Sequence, residues 1–357
     1  MSSNTTLDTT PHNEPPVWFD TLRASLLFVS VFLIITGNVL CIFVVRRSTK
    51  MRKVSRIFIL SLAVADLCGG VFSGVPLLAT EATAHWIPDI ILGIFCKVSC
   101  IASIVFNGAS FLSLLTVTLD CYVAVEKPLR YPSLLTARRA YAITLFIWLV
   151  MSCIAILYTV GFGAVSHLKK EWHWCVLDVN FLRSYSYIML LVAYCGMTIV
   201  VPLVLSMALY GRIRVIIRRH NVTHLARAAQ TGYSAHHQQR PEGAKSLTTF
   251  LIVCCGGAMS SLPLVIIMSY SHWTGNYSMY TISTAMVLHT CNNLLNVLVH
   301  VRRNKEFRTT ASRLRCRCRN RQDGPRGTVP NSFLLTSTSD PVAKENSERI
   351  ITCKARR

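Results

Sequence analysis

Seven long apolar stretches separated by polar segments organise this chain. They cover residues 22–45, 57–80, 92–125, 140–160, 185–217, 247–270 and 281–301. Each stretch has at least the roughly 20 residues that a helix needs to cross the hydrocarbon core of a bilayer. The pattern therefore predicts an all-α membrane protein in which residues 22–301 form a bundle of seven transmembrane helices, called spans one to seven here.

The composition agrees with a bilayer environment. The 357 residues are 52% hydrophobic and only 15% charged, and the mean hydropathy is +0.43. The net charge of +21 would suit a nucleic-acid surface if the basic residues shared one folded face. Most of the basic residues instead lie in alternate loops and the C-terminal tail, which the seven spans place on one side of the membrane. The basic residues on the other side are Arg23, Lys97, Lys169, Lys170 and Arg183. The positive-inside rule then predicts an extracellular N-terminus, a cytoplasmic C-terminus and no nucleic-acid partner.

Several features suit the side predicted to be extracellular. Residues 1–21 form a polar N-terminal segment without the charged and apolar regions of a signal peptide. Asn4 and Asn276 each begin an Asn-x-Ser/Thr glycosylation sequence. Cys96 opens span three and Cys175 lies in the second outer loop, where an oxidising compartment permits a disulfide between them. The spacing alone equally allows two free thiols.

The segment after span seven suits the inner surface of the membrane. Residues 302–313 combine basic residues with Phe307 and predict a short amphipathic helix on the anionic leaflet. Cys316 and Cys318 follow in an arginine-rich run, which suits palmitoylation, although two ordinary cytosolic thiols are the alternative. The tail, residues 314–357, is polar, is expected to be disordered, and offers Ser and Thr for phosphorylation.

Costly polar side chains lie inside the apolar stretches. A carboxylate such as Asp66 is tolerated at membrane depth only when it faces the bundle interior, which makes it a functional-site candidate. The alternative is a protonated Asp66 that only joins helices. The amides of Asn292, Asn293 and Asn296 also need partners, for which Asp66 and Asn38 are the obvious choices. Ser103, Asn107 and Ser110 share one face of span three, which serves either helix packing or a binding site.

Prolines and one tryptophan complete the pattern inside the spans. Pro202 in span five and Pro263 in span six each remove a helical hydrogen bond and predict kinks that could act as hinges. Trp148 stands among apolar residues of span four and is interpreted as a packing or lipid-facing aromatic.

These landmarks together give the chain a family likeness. From about residue 22 to 308 it resembles the rhodopsin-like (class A) G-protein-coupled receptors. One matching motif lies in nearly every span: Asn38, the Leu-Ala-x-x-Asp sequence ending at Asp66, Cys96 with Cys175, Trp148, Pro202 with Tyr210, Pro263, Asn296, and the segment from Asp120 and Tyr122 to Tyr131. The resemblance implies a plasma-membrane receptor that is not an enzyme and that has a Cys96–Cys175 disulfide.

Three activation motifs differ from the family pattern. The Asp-Arg-Tyr sequence appears as Asp120-Cys121-Tyr122, without the arginine that relatives use to latch the inactive bundle and meet the G protein. Cys-Trp-x-Pro appears as Ser260-Ser261-Leu262-Pro263, and Gly257 replaces the expected phenylalanine. Asn-Pro-x-x-Tyr ends at His300 and lacks both its proline and its tyrosine.

Other site residues follow from the resemblance. The positions that surround an internal sodium ion in the family hold Asp66, Ser110, Asn292, Asn293 and Asn296, and Asn38 is expected in the same polar core. One carboxylate among several oxygen atoms suits a hard cation, so we expect allosteric Na⁺ with Asp66 as its ligand. The expected ligand pocket includes Ser103, Asn107, Ser261 and Thr290.

The class of ligand can be narrowed. Ser103 stands where aminergic relatives carry an aspartate, and a neutral serine cannot pair with an ammonium group. Thr290 stands where opsins carry the lysine that binds retinal. A small neutral or lipid-like ligand is therefore expected, with a leaning toward the branch that holds the adenosine, cannabinoid and lipid-amide receptors.

Two functions from different classes remain in competition. The first is a receptor that signals to heterotrimeric G proteins. Its other expected partners are arrestin, which would bind the phosphorylated tail, and membrane lipid. The second is a receptor-like decoy, scaffold or dimerisation partner that does not couple, which the three altered motifs favour. A transporter or enzyme has little support, since the spans show no paired inverted repeats, no H-E-x-x-H sequence and no paired carboxylates.

Overall fold

The computed structural model of this protein describes most of the predicted bundle. The described residues are 17–49, 51–83, 88–158, 166–169, 174–177, 189, 192–231, 255–257, 259–267, 269–270, 273–274 and 279–303. The predicted glycosylation sites Asn4 and Asn276, the palmitoylation sites Cys316 and Cys318 and the tail lie outside them. Those predictions stay predictions.

Nine α-helices and two strands follow one another along the described chain. The helices are α1 (Val17–Arg47), α2 (Lys53–Gly69), α3 (Val75–Thr83), α4 (Asp89–Glu126), α5 (Tyr131–Leu134), α6 (Ala137–Ile156), α7 (Val201–Thr231), α8 (Cys255–Ile267) and α9 (Met279–Arg303), and the strands are β1 (Ser166–Lys169) and β2 (Trp174–Leu177). Span two comprises α2 and α3, and the other spans correspond to α1, α4, α6, α7, α8 and α9. Helix α5 lies in the second inner loop.

Five described helical segments are long and apolar enough to cross a membrane. They are Val17–Arg47, Lys53–Ala79, Gly93–Glu126, Ala137–Ile156 and Val192–Arg219. Helix α8 is a shorter apolar helix, and α9 has 25 residues but carries several amides. The predicted helical membrane bundle is confirmed. Helix α1 begins at Val17, inside the segment predicted to precede the bundle, and α9 ends at Arg303, two residues after the predicted end of span seven.

Helix α4 is the centre of the bundle. It contacts α2, α6, α7 and both strands. The strands pair antiparallel, with Leu168 opposite Cys175, and both pack against α4. The predicted fold was all-α, and this short hairpin is a described element that differs from that prediction.

Among the described residues, π-helical segments lie within spans two and five. Gly70–Gly74 separates α2 from α3, and Gly196–Val200 leads into α7. At the second segment the Val201 N–H bonds to the Gly196 carbonyl, five residues earlier. Pro202 follows at once and cannot donate a backbone hydrogen bond. The irregularity predicted for span five is therefore a π turn joined to a proline, as often occurs at functional sites.

Close packing joins the central helix to span four. Buried Ala109 of α4 packs with Ile147 and Met151 of α6. A Cβ on Gly108 would overlap the Met151 sulfur, so glycine at this position lets the two helices approach. Small residues at helix interfaces perform this role where lipid offers no hydrophobic driving force for association.

Trp148 does not face lipid. Its indole Nε1 donates to Ser61 Oγ at 3.1 Å, and Ser61 lies 3.0 Å from Ser113 Oγ. The ring also packs edge to face against Phe106. The lipid-facing alternative was wrong, because the indole N–H needs a partner that hydrocarbon cannot supply.

Candidate functional site

A buried carboxylate joins spans two, three and seven. Ser110 Oγ donates to Asp66 Oδ1 at 2.6 Å, and Asn296 Nδ2 donates to Asp66 Oδ2 at 3.0 Å. The same amide lies 3.2 Å from Ser110 Oγ. Asp66 is 1% exposed. The sequence correctly paired Asp66 with an amide of span seven.

The oxygen atoms around Asp66 fit a hard cation. Among the described residues, the Asn296 Oδ1 atom is buried and has no hydrogen-bond partner, although buried carbonyl oxygens usually have one. A carboxylate, a hydroxyl and an unsatisfied amide oxygen therefore lie together. Hard cations prefer such oxygen ligands, so Asp66, Ser110 and Asn296 could hold Na⁺.

A second hydrogen-bonded chain connects spans three, six and seven above this cluster. Asn293 Nδ2 donates to Asn107 Oδ1 at 3.2 Å, and Asn107 Nδ2 lies 3.1 Å from His289 Nε2. His289 Nδ1 lies 3.1 Å from Ser261 Oγ. Since the Asn107 oxygen is engaged, its amide nitrogen is the donor to Nε2, and a neutral ring then carries its proton on Nδ1. The imidazole thus donates to Ser261.

His289 is the site residue that sequence reasoning missed. It connects Asn107 and Ser261, two residues expected in the ligand pocket. A signal was available, because His289 precedes Asn293 by four residues and therefore shares its helical face. The family motifs contain no histidine at this place and so did not point to it.

Three other predicted residues bond mainly to nearby groups. Ser103 Oγ lies 2.6 Å from Ser73 Oγ in span two, which supports the helix-packing alternative for this residue. Thr290 Oγ1 donates to the Met286 carbonyl of its own helix. Asn38 is buried, but its amide donates to the Ile34 carbonyl of α1. Asn38 was expected to partner the span-seven amides, and this hydrogen bond remains within span one.

Span six is packed tightly where the family has a phenylalanine. A Cβ on Gly257 would lie 2.7 Å from Asn292 Oδ1 and 3.1 Å from Phe111 Cε1. Phe111 of span three thus lies next to the position where relatives carry the phenylalanine ring. The Asn292 amide lies even closer to that position. A larger residue at Gly257 would have to displace the Asn292 amide or the Phe111 ring, so the described bundle is packed without the family's phenylalanine.

The inner end of span three keeps its carboxylate paired without an adjacent arginine. Asp120 Oδ2 accepts from Ser55 Oγ at 2.5 Å and lies 3.3 Å from Arg52 Nη2. Tyr131 OH donates to Asp120 Oδ1 at 2.5 Å. The side chain of Asp120 is 1% exposed, whereas that of Arg52 is 44% exposed. The charge partner of Asp120 therefore comes from the first inner loop.

Tyr131 is held in place by this cluster. The Arg52 guanidinium lies 4.6 Å from the centre of its ring, within the range of a cation–π contact. Burial, followed by the hydrogen bond to Asp120 and the nearby negative charge, raises the pKa of Tyr131 well above its ordinary value. The phenol therefore stays protonated and remains a donor to Asp120.

The other predicted activation residues are less tightly held. Cys121 is partly exposed, Tyr122 lies near Glu126, and Tyr210 lies beside the Arg214 guanidinium. Pro263 lies within α8. His300 belongs to α9, but its side chain lies outside the described residues.

The extracellular disulfide is partly described. Cys96 is disulfide-bonded and fully buried. Strand β2, which contains Cys175, packs against the helix of Cys96. The identity of the partner cysteine stays a prediction.

The fold and these buried polar clusters define a polytopic helical membrane protein whose interior joins its helices by hydrogen bonds. The family described as 7 transmembrane receptor (rhodopsin family) matches residues 37–300. This chain belongs to that family. It is therefore a rhodopsin-like G-protein-coupled receptor of the plasma membrane and not an enzyme, as the sequence predicted.

Adenosine receptors match this chain over most of its length. Adenosine receptor A3 of Bos taurus is 27% identical over 296 residues, covering 80% of this chain and 89% of the relative. Adenosine receptor A3 of Canis lupus familiaris is 29% identical over 304 residues, covering 81% and 90%. Octopamine receptor 1 of Lymnaea stagnalis is 36% identical over 132 residues, but this is only 36% of the chain and 20% of that relative. The leaning toward the adenosine-receptor branch is confirmed.

Proposed function

We propose that this receptor binds a small neutral or lipid-like ligand from the extracellular side and transmits its binding to heterotrimeric G proteins. The observation that carries the proposal is the chain from Asn107 through His289 to Ser261, which joins spans three, six and seven. A ligand that contacts this chain differently in two bundle arrangements would shift the population between them. In this proposal, the hydrogen bonds of the Asn107–His289–Ser261 chain take the role that the aromatic motif of span six has in relatives.

The proposed ligand class rests on the chemistry of that chain. Its members are amides, a hydroxyl and a neutral imidazole, which recognise hydrogen-bonding groups and offer no carboxylate to an ammonium ion. The full-length relatives are named for adenosine, a small neutral molecule. Adenosine and other neutral nucleosides are therefore the first ligands to test, and neutral lipid amides are the second.

A receptor-like protein that does not couple is the alternative. The pairing of Asp120 with Arg52 favours it, because Cys121 leaves the inner end of span three without the cation that the family presents to a G protein. Coupling surfaces involve many contacts, however, and one loss need not abolish a population shift. The proposal of a signalling receptor also includes an extracellular N-terminus, arrestin binding to the phosphorylated tail and lipid attachment of the tail.

Replacing Cys121 by arginine tests the two functions. We expect the natural chain to activate at least one G protein when adenosine or a panel of neutral nucleosides and lipid amides is added. Cys121→Arg should raise the response, since it restores the missing cation, whereas Cys121→Ser should leave it unchanged. The measurement is G-protein activation at matched surface expression. A response confined to the Cys121→Arg variant would support the non-coupling alternative.

Sodium binding at Asp66 is a second expected property. A cation that binds only the folded receptor stabilises it by RT ln(1 + c/Kd), where c is the Na⁺ concentration, which is about 1 kcal/mol when c is about five times Kd. Thermal unfolding of the purified receptor should therefore shift upward in NaCl relative to choline chloride at equal ionic strength. Asp66→Asn should remove the shift. Equal unfolding temperatures of the natural chain in both salts would contradict the site.

A further inference from the structure

An apolar crevice lies between spans three and five, apart from the Asp66 and His289 clusters. Its walls include Phe111 and Leu115 of α4, Ile199 and Pro202 around the π turn, and Ser206 of α7. The crevice encloses only about 10 Å³, and the rest of it is open to the surroundings, so it is far smaller than the roughly 300–1,000 Å³ of pockets for drug-sized ligands. Nearby Val204 and Leu205 are exposed, so this part of span five faces the lipid.

The crevice contains a buried hydroxyl, that of Ser206. Ser206 is 4% exposed, and among the described residues its Oγ has no hydrogen-bond partner. A helical hydroxyl can usually bond to the carbonyl four residues earlier, as Thr198 does to Tyr194 at 2.7 Å. Ser206 instead leaves its hydroxyl in an apolar crevice, where a buried polar group without a partner is costly.

We propose that this crevice is a second binding site, which takes a slender membrane-partitioned alcohol whose hydroxyl bonds to Ser206. The apolar walls match an unbranched hydrocarbon chain. The enclosed end has room for a group of about the size of one water molecule, which excludes a bulky ring system there. A single water bonded to Ser206 is the competing occupant.

The position of Phe111 gives such an occupant a route to span six. Phe111 lines the crevice, and its Cε1 lies 3.1 Å from the place of a Cβ on Gly257. A chain inserted beside Phe111 therefore presses the ring toward span six, at the point where the family carries its own aromatic residue. The site would then bias the bundle from the lipid side, independently of the extracellular ligand.

Photolabelling with a diazirine-bearing octanol tests the site in the purified full-length receptor in lipid nanodiscs. We expect labelled residues within 111–115 and 199–206, identified by mass spectrometry, and protection by excess 1-octanol. Octane, which lacks the hydroxyl, should protect about five-fold less well, and Ser206→Ala should raise the half-protecting octanol concentration about five-fold, as the loss of one hydrogen bond implies. Leu203→Phe, which narrows the crevice, should abolish the protected labelling.

The matched control is Leu205→Ala, which changes an exposed position on the same turn and should leave protection unchanged. Labelling spread over the lipid-facing surface without protection would overturn the proposal. Equal protection by octane and octanol, with no effect of Ser206→Ala, would also overturn it and assign the hydroxyl to water. The assay needs neither an extracellular ligand nor a G protein, so its failure is distinct from failure of the proposed signalling function.

Discussion

Replacing Asp120 by alanine lowers the free energy of unfolding by about 3 kcal/mol, because it leaves several donors without their shared acceptor. Asp120 is buried and accepts from Ser55 and Tyr131 while it pairs with Arg52. The loss should appear as a lower thermal unfolding temperature of the purified receptor. Asp120→Asn keeps the shape and one acceptor oxygen, so we expect it to lose only about half as much stability.

A double-mutant cycle separates the ion pair from the hydrogen bonds. Arg52→Gln alone should cost only about 0.5–1 kcal/mol, since that side chain is 44% exposed and solvent screens its charge. After Asp120→Ala, the same Arg52→Gln change should cost almost nothing. Strictly additive effects of the two changes would show that Arg52 does not replace the missing arginine as the charge partner. Arg130→Gln, at an exposed position of the neighbouring loop, is the matched control.

Replacing His289 by leucine destabilises the bundle by about 2 kcal/mol. The change removes both hydrogen bonds of the imidazole and leaves polar groups of Asn107 and Ser261 without partners. Interhelical hydrogen bonds in membrane proteins contribute about 0.6 kcal/mol each on average and up to about 1.7, and the unsatisfied groups add to that loss. Thermal unfolding is again the measurement.

Three variants define the role of His289. His289→Gln keeps one donor and one acceptor and should recover part of the stability. Ser261→Ala should make the subsequent loss of His289 smaller, because the two side chains share a bond. Leu288→Ala changes a 43% exposed neighbour and should have a smaller effect. If His289→Leu unfolded at the same temperature as the natural chain, the histidine would not link the three spans.

The buried carboxylate illustrates how far residue patterns reach. Hydrocarbon cannot satisfy a carboxylate, so Asp66 had to face the interior and find polar partners. The helical repeat placed Ser110 on an inward face, and Asn296 was one of few available amides. The contacts of Asp66 with Ser110 and Asn296 could therefore be predicted from residue type and spacing. Asn38 and Asn293, which were expected in the same cluster, bond to Ile34 and Asn107 instead.

The surroundings of Asp120, Gly257 and Trp148 could not be predicted from sequence patterns. Arg52 and Asp120 lie 68 residues apart, and nothing in either segment indicates that they pair. The missing phenylalanine at Gly257 suggested an absent contact, yet Phe111 from another span fills the neighbouring space. Trp148 was compatible with either face of span four until Ser61 provided its acceptor.

The sequence by itself determined the membrane-spanning class, the family likeness and the need to bury Asp66, because the bilayer penalises every unpaired polar group. Only the tertiary structure decided that His289 links Asn107 to Ser261, that Arg52 pairs with Asp120 and that Ser206 has no described hydrogen-bond partner. The physical reason is that helical periodicity fixes which residues share a face. The depth and rotation at which two such faces meet depend on packing between distant parts of the chain.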